Sequence, residues 1–538
     1  MPLKPVLERA PLYPCAWTPL RPGQIHTEWK PALALYSAVR DCRNAAVAEG
    51  AVRLAFAVKE KPSEEPAVRL VREVMAGQGQ DGSLPCPAAE QLAWVRASYA
   101  IAEAEADRGL LTAVLRWLGW CASQELPEDS SLRPETADLM ELIESVYLLT
   151  GKSALLTLMS RLRADCAAWM TALHTFTQQR PTSKLELTGD DQPLHNPVCL
   201  ADGFRAAMLG GIYMGSGKHL SAGTVCWQKL ARYHLSAAGG TTAAPDLEGA
   251  SPAKPQSAAS IGAWAEAFAM QSLHRENTWV WWELDRLMAN ALPAAIDNDP
   301  IHAAHRVNRV ACTDSAVSAA EREADLARLA RGVAALLASA VVMESDGVRV
   351  QHLLPGSYAI AGSQSSCVLR LSDKTDESCQ IALRGVLEGA LRIRIPARLE
   401  AFTAALEGGG AYLGDTRHHL TLRKEWRSGD SIRVTWDRAL TTEEAYHQGQ
   451  CVYWGAELMA MPADDESYAV AVTGAPHVAE GRVWLPVAST ADWPMKEGQP
   501  ADTPVLPAVS GEAADVCLCP FASLTGRIAV FPTAGSRA

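Results

Sequence analysis

The sequence predicts an α+β multidomain protein in which a helical toroid of the (α/α)6 type is followed by antiparallel β-sandwich structure. Apolar residues recur three and four positions apart from Pro31 to about Ala340, which is the spacing of amphipathic helices. After Val342 apolar and polar residues alternate, which is typical of strands with one buried face. Glycine turns at Gly151 and Gly215 join neighbouring helices, and helices paired in this way close into a toroid.

The helical part is expected to contain eleven or twelve helices. The predicted helices are Ala32–Glu49, Pro66–Gly77, Ala88–Asp107, Leu110–Ser123, Glu135–Thr150, Ser153–Gln178, Phe204–Ser216, Gly223–His234, Ser257–His274, Asn277–Leu292 and Glu321–Ala340. An open solenoid of helix pairs is the alternative architecture. The sequence shows no fixed-period consensus of the kind that solenoids have, so the toroid is preferred.

The predicted domain order follows these patterns. Residues 1–30 are proline-rich and expected to be irregular, residues 31–342 form the toroid and the expected catalytic domain, and residues 343–440 form a β-sandwich. A second β-sandwich module is expected at 441–538, joined to the first within the glutamate-rich turn at 437–450.

The composition and net charge of the chain limit the kinds of molecule that it is expected to bind. The chain has 538 residues and a formal net charge of −12, which argues against nucleic acid and against an anionic membrane surface as binding partners. A small neutral ligand fits this charge better. For assembly, a homodimer is the expected state.

The N-terminal sequence has no apolar signal region, and no run of eighteen apolar residues follows, so a cytoplasmic location is expected. The thirteen cysteines are scattered and contain no C-x-x-C pair, which is typical of buried thiols in a reducing compartment.

The stretch from Gln192 to Asn290 is the predicted location of the chemistry. It contains a helix that ends at Gly239-Gly240, a loop with three prolines, and a further helix from about Ser257. In an all-helical barrel, a loop between two inward-facing helices is where functional side chains collect. Candidate functional residues are therefore expected on both sides of this loop.

Several short segments carry a family resemblance. They are QPLHNPVCLADGFRA at 192–206, YHLSAAGG at 233–240, DRLMAN at 285–290, DLARLARGVAAL at 325–336, IRIP at 393–396, a Trp-x-x-Gly-Asp hairpin at 426–430 and VCLCPF at 516–521. In this order they resemble motifs of the β-L-arabinofuranosidases of glycoside hydrolase family 127. The resemblance covers about residues 192–532. It implies an (α/α)6 barrel with β-sandwich domains and hydrolysis of arabinofuranoside-type or related small glycosides.

The zinc ligands and the nucleophile of the family are replaced at the matching positions of this chain. The family's nucleophile is a cysteine thiolate, and zinc is held by neighbouring cysteines and by the glutamate of a Glu-Thr-Cys motif. At the matching positions this chain has Gln-Ser-Ala at 256–258 and Glu-Arg at 321–322, which offer no comparable zinc ligands. We therefore expect no metal and no other cofactor. Cys312 is the alternative nucleophile if the alignment contains a gap there.

Three carboxylates are candidate catalytic residues. Glu321 stands at the position of the family's nucleophile and could attack an anomeric carbon, although a carboxylate there also suits a helix N-terminus. Asp202 replaces the family's active-site histidine, with a helix N-cap as its alternative role. Glu248 falls near the family's candidate acid/base residue, and its alternative is a solvated loop position.

Four further residues are candidates for substrate binding. His195, Arg205 and Gln256 could donate hydrogen bonds to sugar hydroxyls, and Trp282 could stack on a sugar ring. The structural alternatives are a histidine at a helix entry, an arginine paired with Asp202, and a tryptophan in a packed core.

Three functional hypotheses result. The first is a family-127-like glycosidase with altered catalytic residues. The second is a catalytically inactive relative that keeps the fold and binds carbohydrate without nucleophile or zinc. The third is a helical scaffold that binds protein. We prefer the first hypothesis, with a small carbohydrate as substrate, and whether the chain is an enzyme is left open at this point.

Overall fold

The computed structural model describes residues 9–124, 132–177, 192–242, 246–247, 249–274, 276–297, 304–306, 308, 318–361, 365–372, 374–407, 411–413, 418–463, 469–490 and 506–535. Described residues up to Ala340 are mainly helical, and those from Val341 onward lie mainly in strands. The predicted change of structural class near Val342 is therefore confirmed. Among these residues, no helix combines the length and the apolar character needed to cross a membrane.

The helices of the described ranges are numbered in chain order. They are α1 Lys30–Val39, α2 Ala45–Val58, α3 Pro66–Ala76, α4 Ala88–Glu105, α5 Arg108–Ser123, α6 Glu135–Thr150, α7 Ala154–Arg161, α8 Arg163–Thr175, α9 Gln192–His195, α10 Pro197–Met214, α11 Gly217–His234, α12 Ala258–Ser272, α13 Thr278–Arg286, α14 Leu292–Asp297 and α15 Ala319–Ala340. One turn of π-helix, Leu287–Ala291, connects α13 to α14.

Six of these helices contact one another in a closed circuit. In order they are α2, α4, α6, α10, α12 and α15, and α15 returns to contact α2. The closest approach is between α12 and α15, where Gly262 faces the backbone of Arg328 and Gly332 faces the carbonyl of Gly262. Glycine at both positions lets the two backbones pack at a distance that a side chain would prevent.

The N-terminal segment lies across one end of this circuit. The Tyr13 and Trp17 amides donate to the carbonyls of Ile212 and Leu273, which lie at the C-terminal ends of α10 and α12. The Leu20 amide bonds near the end of α15, and the Tyr147 hydroxyl of α6 donates to Ala10. The C-terminal ends of these helices are therefore covered, and their N-terminal ends point to the opposite side, which we call the mouth.

Polar side chains set the starts of the circuit helices at the mouth. Asn44, Asn196, Ser257 and Ser318 cap α2, α10, α12 and α15 by accepting backbone N–H groups of the first turn. Since the first N–H groups of a helix have no intrahelical partner, these caps stabilise the ends that surround the mouth.

Within the described ranges, the strands form three larger sheets and one short ribbon. The first sheet has the order β1 Thr18–Pro19, β5 Val341–Glu344, β6 Gly347–Val350, β10 Ala390–Arg394, β13 His419–Arg423. The second has the order β12 Ala411–Leu413, β11 Leu399–Leu406, β14 Ser431–Arg438, β9 Ser378–Val386, β8 Ser366–Ser372, β7 Gly356–Ala361, β2 Ile25–Thr27.

The third sheet, called the C-terminal sheet below, begins at Leu440. Its order is β15 Leu440–Glu444, β16 Gln450–Trp454, β17 Glu457–Pro462, β21 Val509–Pro520, β20 Arg482–Thr490, β18 Val470–Val472, with β19 His477–Ala479 on β20, β22 Arg527–Ile528 on β17 and β23 Val530–Phe531 on β16. The ribbon pairs β3 Pro255–Ser257 with β4 Ala304–Arg306. Among the named strands, pairing is antiparallel except between β6 and β10.

Three expectations about local structure were wrong. The segment 1–30 is not wholly irregular, because β1 and β2 add strands to the first and second sheets. The single helix predicted for Ala32–Glu49 is two helices, since Asn44 caps a new helix after α1 ends at Val39. The predicted helix Ser153–Gln178 is divided at Leu162 into α7 and α8.

Candidate functional site

Glu321, the candidate nucleophile, caps its own helix. Ser318 and Glu321 form a reciprocal capping box in which the Ser318 side chain accepts the Glu321 N–H, and the Glu321 carboxylate accepts the Ser318 N–H at 2.9 Å. The side chain is exposed, and the hydrogen bonds from Ser318 hold the pKa of Glu321 below its usual value. In the structure this carboxylate serves the start of α15.

Asp202 and Arg205 do lie together, as their spacing on one helix suggested. Both are buried, and Nη1 of Arg205 lies 2.9 Å from Oδ1 of Asp202. Arg328 of α15 also binds Asp202, with Nη2 of Arg328 2.7 Å from Oδ2. Asp202 therefore connects α10 to α15 rather than capping α10, whose cap is Asn196.

These residues belong to a larger group of charged side chains to which every helix of the circuit contributes. We call it the charged cluster, and its members are Glu49 and Arg53 on α2, Arg96 on α4, Asp138 and Glu141 on α6, Asp202 and Arg205 on α10, Glu266 on α12, and Arg328 and Arg331 on α15. Five carboxylates face five guanidiniums, so the formal charges cancel.

Short ion pairs connect these members across the circuit. The nitrogen-to-oxygen distances are 2.6 Å for Arg96–Glu49, 2.8 Å for Arg205–Asp138, 2.7 Å for Arg331–Glu266, 3.0 Å for Arg96–Glu141 and 3.0 Å for Arg53–Glu49. Ion pairs in a poorly solvated interior are strong only when both partners are well hydrogen-bonded. Each cluster carboxylate accepts at least one hydrogen bond from a guanidinium, whereas Oε2 of Glu266 is buried without a hydrogen-bond partner among the described residues.

The guanidiniums keep the cluster carboxylates ionised. Burial alone would raise the pKa of Glu49 and of Asp138, but the facing arginines hold both well below their usual values. Glu144, one turn along α6 from Glu141, behaves in the opposite way. Burial, and then the negative charge of Glu141, raise the pKa of Glu144 to about 8. Neighbouring carboxyls on one helix thus have opposite protonation preferences near neutral pH.

Several members of the cluster are partly open to solvent, among them Arg53 at 25%. The side chains of Glu141, Arg328 and Asp138 are 28%, 20% and 14% exposed, whereas Arg205 is fully buried. Glu141 is therefore the cluster carboxylate that a dissolved molecule can approach most readily. This is the chemical reason to regard it as a functional candidate.

The loop after Gly240 is held on both sides of Glu248, which itself lies outside the described residues. The Leu247 amide donates to the carbonyl of His195 at 2.8 Å, and the Gly249 amide donates to Nδ1 of His234 at 3.2 Å. The buried residue His195 therefore contributes its backbone to the loop that carries Glu248.

Gln256 and Trp282 have different environments. Gln256 is buried, its amide nitrogen donates to the Gly239 carbonyl at 2.6 Å, and its oxygen accepts the Ser236 hydroxyl at 3.1 Å. Trp282 lies on α13 and is half exposed, while its neighbour Trp281 packs against Trp17. Gln256 thus shapes the loop, and Trp282 presents an open ring surface.

The residues at the zinc positions implied by the family resemblance do not fit zinc. The Gln256 amide is already hydrogen-bonded, Ala258 carries only a methyl group, and Glu321 is engaged at its helix terminus. Cys312 lies outside the described residues. Oxygen atoms of Asp138, Glu141 and Glu266 lie within 4.8 Å of one another, but the guanidiniums around them already supply the opposing charge.

Most of the cluster was missed by sequence reasoning. Only Asp202 and Arg205 were among the candidates, and Arg96, Glu141 and Glu266 were not. A signal existed in the form of single charged residues inside otherwise apolar helices, such as Glu266 in AWAEAFAM and Arg96 in AWVRASYA. Such residues are rarely buried without a charged partner.

Comparison with known proteins gives a result at the level of structure. No protein-family model and no curated protein matches the chain. A solved structure described as a glycoside hydrolase aligns with a TM-score of 0.71 and 12% identity over 99% of both chains. A GH127 β-arabinofuranosidase aligns with a TM-score of 0.69 and 10% identity, covering 97% of this chain and 99% of its own.

A third solved structure is a GH127 β-L-arabinofuranosidase from Geobacillus stearothermophilus T6. It aligns with a TM-score of 0.61 and 12% identity, covering 94% of this chain and 90% of its own. The resemblance stated from short sequence segments is thus confirmed by structures that extend over the helical region and the sheets alike. The chain has, over nearly its whole length, the fold of the GH127 β-arabinofuranosidases.

Proposed function

We propose that the protein is a glycoside hydrolase that acts on arabinofuranoside-type or related small glycosides at the mouth of the six-helix circuit. The observation that carries this proposal is the structural match over 99% of both chains with a glycoside hydrolase. In the same proposal, the circuit is an (α/α)6 toroid, and the β regions at 343–440 and 441–538 are sandwich modules.

The charged cluster supplies the chemistry that glycoside hydrolysis needs. A glycosidase uses one carboxylate that stays ionised and one carboxyl group that donates a proton. Glu141 fits the first role, because Arg96 and Arg205 bind it and its side chain is partly open to solvent. Glu248 remains the candidate proton donor, since hydrogen bonds hold the residues on both sides of it.

The proposed reaction contains no step through zinc. The residues at the implied zinc positions offer an amide, a methyl group and a capping carboxylate, which is a donor set unsuited to that ion. The absence of stoichiometric zinc therefore stays a prediction from side-chain chemistry.

The experiment is hydrolysis of a panel of aryl furanosides and aryl pyranosides by the purified full chain, with and without a chelator, and with elemental analysis of the same sample. We expect turnover of at least one furanoside that the chelator leaves unchanged. No turnover of any member would contradict the proposal. Turnover lost on chelation, with one zinc per chain, would instead support the family's own mechanism with Cys312 as the nucleophile.

A carbohydrate-binding relative without activity is the second candidate. The observation in its favour is that guanidiniums engage the carboxylates of the charged cluster and that Glu321 is used as a helix cap. This candidate predicts sugar binding in a calorimetric titration together with no hydrolysis of the panel.

A further inference from the structure

A tight glycine turn borders the mouth of the circuit. It follows α11 and comprises Ser236–Thr242, in which Gly239 and Gly240 have φ angles of +101° and +73°. A Cβ on Gly239 would lie 2.9 Å from the backbone nitrogen of Leu287, so the turn also packs directly against the residue that follows α13. We call residues 236–242 the glycine turn.

The helices hold the glycine turn from the side of the mouth. Gln256, two residues before α12, donates to Gly239, and the indole nitrogen of Trp264 on α12 donates to the Thr241 hydroxyl at 3.0 Å. The turn is thus oriented relative to the start of α12.

The C-terminal sheet holds the same turn from the other side. The hydroxyl of Tyr453, on β16, donates to the carbonyl of Ala237 at 2.7 Å. Tyr453 is 1% exposed, and burial raises the pKa of its hydroxyl, which therefore stays protonated and able to donate. This hydrogen bond spans 216 residues of sequence.

Two guanidiniums fix the ring of Tyr453. Arg398 lies 4.0 Å and Arg286 lies 5.3 Å from the ring centre, and both guanidiniums bind the carboxylate of Glu443. Arg286 belongs to α13, and Glu443 belongs to β15 of the C-terminal sheet. Cation–π contacts of this kind restrict the position of the ring and hence of the hydroxyl.

We propose that Tyr453 is a positioning residue through which the C-terminal sheet sets the geometry of the glycine turn and hence of the hydrogen bond from Thr242 to Gly249 at the mouth. The inference rests on the proposed function, because the Thr242 hydroxyl at the end of the turn donates to the carbonyl of Gly249, the residue that follows the candidate proton donor Glu248. Tyr453 does not touch the substrate in this account. It acts through the Ala237 carbonyl, the backbone of the turn, and the hydrogen bond from Thr242 to Gly249.

The proposal predicts how the turn responds when the hydroxyl is removed. Tyr453→Phe keeps the ring between its guanidiniums and removes only the hydrogen bond to Ala237. Loss of one such bond corresponds to about a fivefold change in a local opening equilibrium. We therefore expect about fivefold faster amide hydrogen exchange in a peptide that contains residues 236–242. For the same reason we expect a lower kcat on the best aryl glycoside, with little change in KM.

The matched control is Tyr358→Phe. Tyr358 is equally buried, and its hydroxyl donates to the Leu354 carbonyl at 3.0 Å within the second-sheet region, away from the glycine turn. This variant should leave exchange in residues 236–242 and kcat unchanged. A second test variant, Glu443→Gln, keeps the hydroxyl but weakens the binding of the two guanidiniums, and should accelerate exchange in the turn to a smaller extent.

The outcomes separate the two proposals. Unchanged exchange in the glycine turn of Tyr453→Phe, or an equal effect in Tyr358→Phe, would overturn the role of Tyr453. If the wild-type chain hydrolyses no member of the panel, the proposed function fails. The exchange measurement still decides whether Tyr453 positions the turn. Faster exchange confined to residues 236–242 supports that role.

Discussion

At the scale of single residues, the buried arginine Arg205 shows that a pair on one helix could be predicted from the sequence, whereas ion pairs with other helices could not. Its spacing from Asp202 suggested a local pair, and that pair exists. The same guanidinium also lies 2.8 Å from Asp138 and 3.3 Å from Glu266, on two other helices. Contacts between helices that are far apart in sequence cannot be read from one sequence, so the extent of the cluster was not predicted.

Replacing Arg205 should destabilise the fold strongly. Arg205→Met leaves the charges of Asp138 and Glu266 in a poorly solvated interior with fewer partners, which should lower the free energy of unfolding by about 3–5 kcal/mol. Urea denaturation measures this change. Arg423→Met is the control, because Arg423 is 66% exposed and its pair with Asp346 should contribute less than about 1 kcal/mol. Equal losses in the two variants would contradict the account.

Glu144 makes the free energy of unfolding depend on pH. Its burial and the charge of Glu141 determine the sign of this dependence. Its pKa rises from 4.5 in the unfolded chain to about 8 in the folded protein, because of burial and then of Glu141. The folded state therefore binds more protons between these values, so this group's contribution is complete below pH 4.5 and is lost as the pH rises through 8.

Glu144→Gln should remove the loss of stability that Glu144 causes as the pH rises. Denaturation at several pH values should show a flatter profile and a higher stability near pH 8 than in the wild type, since an amide stays neutral. The variant retains Cys15, whose own pKa is raised by burial and then by Glu144. Glu90→Gln, at an exposed glutamate in the first turn of α4, is the control. A profile identical to that of the wild type would mean that Glu144 is not buried as described.

At the scale of elements, regular segments were predictable and interruptions were less so. The bounds of α6 agree with the predicted Glu135–Thr150 because its amphipathic spacing is uninterrupted. The segment 153–178 carries the same apolar spacing on both sides of Leu162, so its division into α7 and α8 left no strong signal. β1 and β2 are two and three residues long and depend on partners more than 300 residues away.

The contact between α12 and α15 gives an element-scale prediction. A Cβ on Gly262 would overlap the backbone of Arg328, so Gly262→Ala should separate the helices and reduce stability by about 1–3 kcal/mol. Gly119→Ala is the control, because Gly119 lies in the exposed part of α5 with open space beside it and alanine favours a helix. Thermal unfolding of both variants checks this. Tolerance of alanine at Gly262 would show that the helices are not in close contact.

At the scale of the whole molecule, the order of structural classes was predicted and the position of the charged cluster was not. The change from helical to alternating spacing near Val342 follows from periodicity, which each segment carries in its own sequence. The cluster instead requires that six helices meet, whereas the position of the family's nucleophile falls on Glu321 at a helix terminus. For Glu321, the hydrogen bonds in the structure therefore indicate the role of the side chain more reliably than its alignment with the family's nucleophile.

Glu141 tests the central claim, which places a glycosidase site where the charged cluster meets solvent. The measurement is kcat on the best aryl glycoside for Glu141→Gln and for Glu407→Gln, an exposed glutamate of the second-sheet region used as the control. The account predicts that Glu141→Gln lowers kcat by about 100-fold or more while the circular dichroism spectrum stays that of the wild type, and that Glu407→Gln changes nothing. Undiminished turnover in a folded Glu141→Gln protein would contradict it.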